Sequence, residues 1–304
     1  MTLQELLETV RRVEVRTNRL VNDMMVGAYL SHFKGRGMDF EELREYMPGD
    51  EVRDIDWNVT YRMGRPFVKR YREERELAMI LAVDISASSA FGSLTRSKRE
   101  FATEIAATLA ISATRSSDKV GLLLFSDRVE LFLPPRKGRG HILRLIRELL
   151  TFKPKSRGTS IPAALAFLNH VLHRRSIVFL LTDFLHGFGA GTQRTAGRDS
   201  LQEIGLSNAR HDLVCVHLHD PRESSLPNAG LLTIEDAETG ELLEIDSSRA
   251  AVRDRFAATN AQRLAELDRA LRRAGVDTLS FSTAEPFAPT LQQFFETRRG
   301  RRRG

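Results

Sequence analysis

The sequence predicts an α/β fold: a doubly wound, mostly parallel sheet carrying a small β-rich appendage. Three observations point there. Leu77–Val83 and Ser176–Thr182 are nearly continuous apolar runs, as expected of strands buried on both faces. Between and after them, helical periodicity alternates with further short strands, the rhythm of a parallel sheet with crossover helices. Glycines and a Pro48-Gly49-Asp50 turn concentrate before residue 75, where that rhythm is absent.

The elements follow in order. Residues 1–30 place Leu3, Leu6, Leu7, Val10, Val13, Leu20, Val21 and Met24 at helical spacing, which predicts an amphipathic helix packed on the body of the protein. Residues 31–75 form the β-rich module, with strands expected at Ile55–Thr60 and Pro66–Tyr71. The alternating unit spans 76–298. It begins with the first apolar strand and continues with a helix over Ser97–Arg115. A strand at Val120–Phe125 and a strand or edge hairpin at Val129–Leu133 come next. Helices at 141–151 and 161–173 precede the second apolar strand. A helix near 199–209, a strand at Leu213–Leu218, a helix at 249–274, a strand at Asp277–Ser282 and a helix near 288–298 complete the pattern. Residues 221–248 interrupt it with a hairpin turning at Thr239-Gly240. Residues 299–304 are a basic tail.

Composition excludes several classes. The 304 residues are 41 % hydrophobic and 28 % charged, enough apolar matter for a substantial core. The single cysteine, Cys215, excludes an intrachain disulfide and a Cys-only zinc site. No apolar run reaches the roughly 20 residues of a membrane span. The opening MTLQELLETVRR mixes acids with apolar residues, unlike a secretory signal, so a cytoplasmic location is expected. The net charge of +6 is almost accounted for by Arg298, Arg299, Arg301, Arg302 and Arg303. A short terminal run is expected to be solvated, with peripheral contact to an acidic partner or anionic lipid open to it. Nucleic acid is not an expected partner.

The chemistry gathers at strand ends. The first apolar strand ends in Asp84-Ile85-Ser86-Ala87-Ser88, and the later one in Thr182-Asp183. Between them, Gly158-Thr159-Ser160 precedes a helix. In open α/β sheets, ligands bind outside the carboxyl ends of the strands. Two carboxylates and three hydroxyls on one such edge suit a hard divalent cation, Mg²⁺ foremost and Mn²⁺ next. Ser86, Ser88 and Thr159 are candidates for direct ligands, and Asp84 and Asp183 for direct or water-mediated ones. One coordination position is then left for an outside carboxylate. Taken singly, each of these residues also suits a helix cap or a turn.

Together, Asp84-x-Ser86-x-Ser88, Gly158-Thr159 and Thr182-Asp183 resemble the metal-ion-dependent adhesion site of von Willebrand factor A domains. The resemblance extends from about residue 28 to the C-terminus. It takes in Lys34-Gly35-Arg36-Gly37, Leu43-Arg44-Glu45-Tyr46, Val52–Trp57, Phe91-Gly92, Gly121–Ser126, Arg210-His211-Asp212, Asp220-Pro221-Arg222-Glu223 and Glu238-Thr239-Gly240. These stretches are similar to a bacterial family catalogued as domain of unknown function 58. The resemblance implies a Mg²⁺ site that takes a partner's Asp or Glu as final ligand. It also implies association with a MoxR-type AAA+ ATPase in chaperone-like maturation of other proteins, and no established catalysis. Ser89 departs from the family, which often has Met there.

Other candidates read more simply. Asp50, Arg53, Asp54, Asp56 and Trp57 form either a second acidic site or a turn locked by Arg53–carboxylate pairs around a packed Trp57. Cys215, His217 and His219 alternate on one strand face, spaced for zinc yet expected to pack. His170 and His173 suit a solvated helix end. Pro134–His141 could meet phosphate at a helix start but lacks a P-loop, so any ATP hydrolysis is assigned to a partner. No G-x-S-x-G, H-E-x-x-H or paired C-x-x-C occurs. The remaining enzymatic alternative is a Mg²⁺-dependent hydrolase using Asp84 and Asp183, with Asp54 or Asp56. The expectation is a non-enzymatic, Mg²⁺-dependent binding protein.

Overall fold

The structure is a computed structural model that describes residues 37–74, 78–185 and 194–301. The amphipathic segment expected at 1–30 and residues 302–304 of the tail lie outside the described residues. The described residues divide into two compact units, one within Phe33–Leu77 and one from Ala78 onward.

In the smaller unit, β1 (Gly37–Glu45) pairs antiparallel with β2 (Phe67–Glu74), with a bulge between Phe40 and Glu42. Between them comes a single 3-10 turn, Val52–Asp54, and the short helix α1, Trp57–Met63. The strand expected at Ile55–Thr60 is therefore mostly helix. The reason is local: the Asp56 carboxylate accepts the backbone N–H groups of Asn58 and Val59, and Gly64 closes the helix at φ +67°. A good N-cap and a left-handed C-cap outweigh the β-branched residues between them.

The larger unit is built on six strands in the order β10-β7-β6-β3-β4-β5. They are β3 (Ala78–Asp84), β4 (Lys119–Phe125), β5 (Val129–Arg136), β6 (Ile177–Thr182), β7 (Asp212–His219) and β10 (Asp277–Ser282). All neighbours run parallel except the edge strand β5, which pairs antiparallel with β4. β3 and β6, the two most apolar runs, lie at the centre with Val83 opposite Leu181. This register brings the residues that follow both strands to one edge of the sheet.

Helices cover both faces. On one face, α4 (Ile161–Val171), α5 (Arg194–Arg210) and α7 (Ala250–Arg273) contribute Ile161, Leu165, Leu168, Ile204, Leu267 and Leu271. These pack on Ile80, Ala82, Leu123, Phe125, Val178 and Leu180 of the sheet. On the other side, α2 (Lys98–Arg115) packs against the strands and against α3 (Arg139–Thr151). α2 is buried on most of its circumference, and its many alanines let it lie close to the sheet. A reciprocal capping box starts it: Ser97 Oγ accepts Glu100 N–H while the Glu100 carboxylate accepts Ser97 N–H at 2.8 Å. Phe101 makes edge contacts with Phe281 and with Phe287, which precedes the last helix, α8 (Ala288–Arg301).

Two further elements matter for the site. The single turn α6 (Pro221–Ser224) follows β7, and the hairpin β8 (Leu231–Glu235) with β9 (Leu242–Asp246) interrupts the alternation. Arg298, counted above with the solvated tail, is instead largely buried. It holds Asp212 at 2.5 Å and Asp277 at 2.7 Å, at the entry ends of β7 and β10. The acids that begin these strands needed a base, and α8 supplies it.

Candidate cation site at the strand ends

Asp84 is the last residue of β3, and the chain then turns through a short 3-10 segment at Ala87–Ala90. Asp84 organises this turn. Its Oδ1 accepts Ser86 N–H at 2.9 Å, and its Oδ2 accepts the Thr182 hydroxyl at 2.6 Å from the neighbouring strand. The Ser86 and Ser88 hydroxyl oxygens stand 3.1 Å apart. Ser89 donates its hydroxyl to Ser86 O at 2.7 Å and so braces the turn. Ser88 also bonds Asp183. Asp84, Ser86, Ser88 and Asp183 thus form one connected, buried group.

Thr159 reaches the same edge from the loop before α4. Ala87 N–H donates to Arg157 O at 2.9 Å, which ties that loop to the Ser86–Ser88 turn. The Thr159 hydroxyl donates to Glu238 Oε1 at 2.9 Å, and Glu238 lines the same cavity as Ser88. Ser160, next in the chain, caps α4 through Ala163 N–H, so its hydroxyl is spent on structure. Phe184, just after Asp183, is held at φ +49°, a left-handed conformation unusual for an aromatic residue.

Three residues of the site carry no mark in the local sequence pattern. Lys98, at the first turn of α2, is 1 % exposed, and its ammonium lies 2.6 Å from Asp183 Oδ2. The same ammonium binds Glu223 of α6. Glu238 is the third. Glu223 and Glu238 belong to the Asp220–Glu223 and Glu238–Gly240 stretches noted above, but their partners are 125 and 79 residues away.

The electrostatics follow from this wiring. Burial, and then the Asp183 charge, push the Asp84 carboxyl up to about 7, against the hydrogen bonds it accepts. Burial also works against Asp183, but the Lys98 ammonium and the hydrogen bonds outweigh it and hold that carboxyl below its usual range. Glu223 ends above its usual range, because burial outweighs Lys98. Lys98 is held above its own, since two acids outweigh its burial. The edge therefore has one neutralised carboxylate, Asp183, and one whose charge is poorly compensated, Asp84.

That surplus, with a cluster of hydroxyl oxygens beside it, fits a hard divalent cation. Ser86, Ser88, Thr159 and Asp84 are the residues that would hold it. Asp183, with Oδ2 on Lys98 and Oδ1 accepting Leu185 N–H at 3.1 Å, suits a role through water. Among the described residues, no group of three or more His, Cys, Asp or Glu side chains could hold a metal.

Most of the other sequence candidates resolve into packing, ion pairing or capping. Cys215 lies in the hydrophobic core, where burial pushes its thiol up. Burial drives His217 down to about 3, and its ring stacks on His219 and meets the Ser280 hydroxyl. In the first turn of α3, His141 Nε2 lies 2.8 Å from Val120 O. In the smaller unit, Asp50 is paired by Arg44 at 2.6 Å rather than by Arg53, and it accepts Met47 N–H. Asp56 is the cap of α1. Trp57, expected to be packed, is 65 % exposed.

A central parallel sheet with an antiparallel edge, helices on both faces and this Asp-Ser-Ser, Thr, Asp arrangement at the strand ends define a von Willebrand factor A-like domain. The chain belongs to the family described as "Protein of unknown function DUF58", which matches residues 42–266. Uncharacterized proteins Rv1480 of Mycobacterium tuberculosis and Mb1516 of Mycobacterium bovis are each 29 % identical to it, over 97 % of this chain and 90 % of theirs. Among solved structures, BatB from Bacteroides thetaiotaomicron aligns with a TM-score of 0.48 at 14 % identity, over 73 % of this chain and 98 % of that one. The SpRpn10 von Willebrand factor A domain aligns at 0.37 and 11 % identity, over 71 % and 93 %. Among the described residues, no helix is long and apolar enough to cross a membrane.

Proposed function

We propose that this protein is a non-enzymatic, Mg²⁺-dependent binding adaptor that captures an acidic residue of a partner at the edge formed by β3 and β6. The observation that carries the reading is the buried group Asp84–Ser86–Ser88, whose two hydroxyl oxygens are 3.1 Å apart beside a carboxylate with poorly compensated charge. When bound, Mg²⁺ supplies an electrophilic position for an outside carboxylate. The chain's own residues do the rest. Ser86, Ser88 and Thr159 offer neutral oxygens, Asp84 offers charge, and Lys98 keeps Asp183 out of direct competition. A neutral hydroxyl shell favours capture of an anion over activation of water, which usually calls for direct carboxylate ligands.

The family resemblance supports a MoxR-type AAA+ ATPase as partner, with a chaperone-like role in maturing or assembling other proteins. The chain has no P-loop, so in this reading the ATPase is the motor and the adaptor selects the client.

The test is a pull-down from native cytosol with Mg²⁺ and with EDTA, using the wild-type protein and Asp84→Ala. The expected result is Mg²⁺-dependent recovery of an AAA+ ATPase or acidic client, lost in the variant while its circular dichroism is unchanged. Recovery that persists in EDTA would overturn the reading. Mg²⁺-dependent turnover of phosphoesters, abolished by Asp84→Ala, would replace it with a hydrolase.

A further inference from the structure

The hairpin β8–β9 puts an acid of this chain on the candidate site. Glu238, in the hairpin turn, accepts the Thr159 hydroxyl at 2.9 Å, and its other oxygen lies 4.0 Å from where a Cβ on Gly158 would stand. Glu238 and Ser88 both line a cavity of about 580 Å³ between the strand ends and the hairpin, with Phe91, Leu185 and Leu226 among its apolar walls. A carboxylate is thus already present where the binding reading requires one from outside.

We infer that Glu238 is an internal competitor for the acidic partner: it holds the hydroxyl edge of the cation site in the resting protein, and a partner's Asp or Glu must displace it. The inference rests on the cation-site reading above. The turn itself does not need the Glu238 side chain. Asp236 Oδ1 accepts the backbone N–H of Glu238 and of Thr239, each at 2.9 Å, and Gly240 N–H returns to Asp236 O at 2.8 Å with Gly240 at φ +76°. The turn is therefore preorganised, and its acid is aimed at Thr159.

The hairpin can also yield. Leu231, Leu242 and Leu243 are all more than half exposed, so little apolar burial holds the two strands down. A two-stranded hairpin with so little packing is marginal by itself. Two polar ties lie on it: Thr159 with Glu238, and Arg157 with Glu235 at 3.4 Å. Arg157 also accepts Ala87 N–H through its carbonyl, so one residue links the hairpin to the Asp84–Ser88 turn. Lifting the hairpin would uncover Thr159 and open the apolar cavity to a partner's side chains in the same movement. Partner affinity would then be set by a difference, the incoming acid against the resident one.

The test uses Mn²⁺ alone as probe, with the full chain as wild type, Glu238→Gln, Glu241→Gln and Asp84→Ala. Free Mn²⁺ is counted by electron paramagnetic resonance, and the hydration of bound Mn²⁺ is read by water-proton relaxation. Glu241→Gln removes an equal charge from the exposed end of the same hairpin. The expected result for Glu238→Gln is roughly tenfold weaker Mn²⁺ binding, as typical for loss of a supporting group, with higher relaxivity per bound ion. Glu241→Gln should stay within about twofold of wild type. If Glu238→Gln behaves like Glu241→Gln in both readouts while Asp84→Ala abolishes binding, the cation site stands and the internal competitor is overturned. If the wild-type protein binds no Mn²⁺, both fall together.

Discussion

The Lys98 ammonium and the Asp183 carboxylate are 2.6 Å apart in a site where the two side chains are 2 % and 6 % exposed. The same ammonium also holds Glu223, so one buried base serves a buried acid and a partly buried one. Breaking such a group by removing one member leaves uncompensated charge in a low-dielectric interior, which costs about 3–5 kcal/mol. Lys98→Met should therefore lower the unfolding free energy by about that amount in urea titrations. Adding Asp183→Asn and Glu223→Gln to Lys98→Met should recover a large part of the loss, because the stranded charges go too. A Lys98→Met protein within about 0.5 kcal/mol of wild type would mean that water reaches these groups and that they are not a buried triad.

What was legible in the sequence, and what was not, divides along the same line. The central strands could be read because burial on both faces demands continuous apolar runs, as in Met79–Val83 and Ile177–Leu181. The placement of the five candidate residues along one sheet edge could be read because each stands at or just after a strand end, or just before a helix, where local pattern and topology agree. Lys98 could not. A lysine after a Ser cap reads as a solvated first-turn residue, and only the fold brings Asp183 and Glu223 to it from 85 and 125 residues away. Arg298 was misread for the same reason, since Asp212 and Asp277 meet it only once β7 and β10 are side by side. α1 is the opposite case: its Asp56 cap and Gly64 stop were in view, but Ile55, Val59 and Thr60 suggested a strand. Caps decided the outcome there, because so short an element has little burial to override them.

Asp220, which is fully buried, ties together the segments that frame the site. Its Oδ2 accepts Ser93 N–H and the Thr283 hydroxyl, each at 2.9 Å, while its Oδ1 accepts Arg222 N–H at 2.9 Å and the Ser93 hydroxyl. Every group facing this carboxylate is a donor. An amide offers only one acceptor oxygen, so either orientation of Asn sets its NH₂ against a backbone N–H. Asp220→Asn should cost about 2–3 kcal/mol, the scale of hydrogen bonds to a charged acceptor together with a stranded donor. The loss should spread to the site. Glu223 accepts Asp220 N–H at 2.9 Å, and the loosened turn carries the acid that pairs with Lys98. Ser93→Ala, which removes one hydroxyl and leaves both backbone donors paired, should cost about 1 kcal/mol. Equal losses in the two variants, measured by chemical denaturation, would refute this account.

His217 makes stability depend on acid. It is 5 % exposed, and burial, then His219 and Arg263, drive its pKa down from 6.5 to about 3; Asp183 opposes this and Lys98 adds to it. The ring packs beside Phe184 and shares a hydrogen bond with the Ser280 hydroxyl. The folded protein holds it neutral, while the unfolded chain takes up a proton near pH 6.5. The sign follows from linkage: stability is full above pH 6.5 and is lost as pH falls toward 3, at about 1.4 kcal/mol per unit for this one group. Asp183 and Asp220, both held low, act in the same direction, and Asp84, pushed up, acts in the other. These contributions are common to wild type and a His217→Gln variant, whose amide can still reach Ser280. The difference between their unfolding free energies should therefore shift by about 1.4 kcal/mol per pH unit between pH 6 and pH 4, with wild type losing ground. Parallel stability curves over that range would show that His217 is protonated in the folded protein, and that its burial against Phe184 does not exclude the charge.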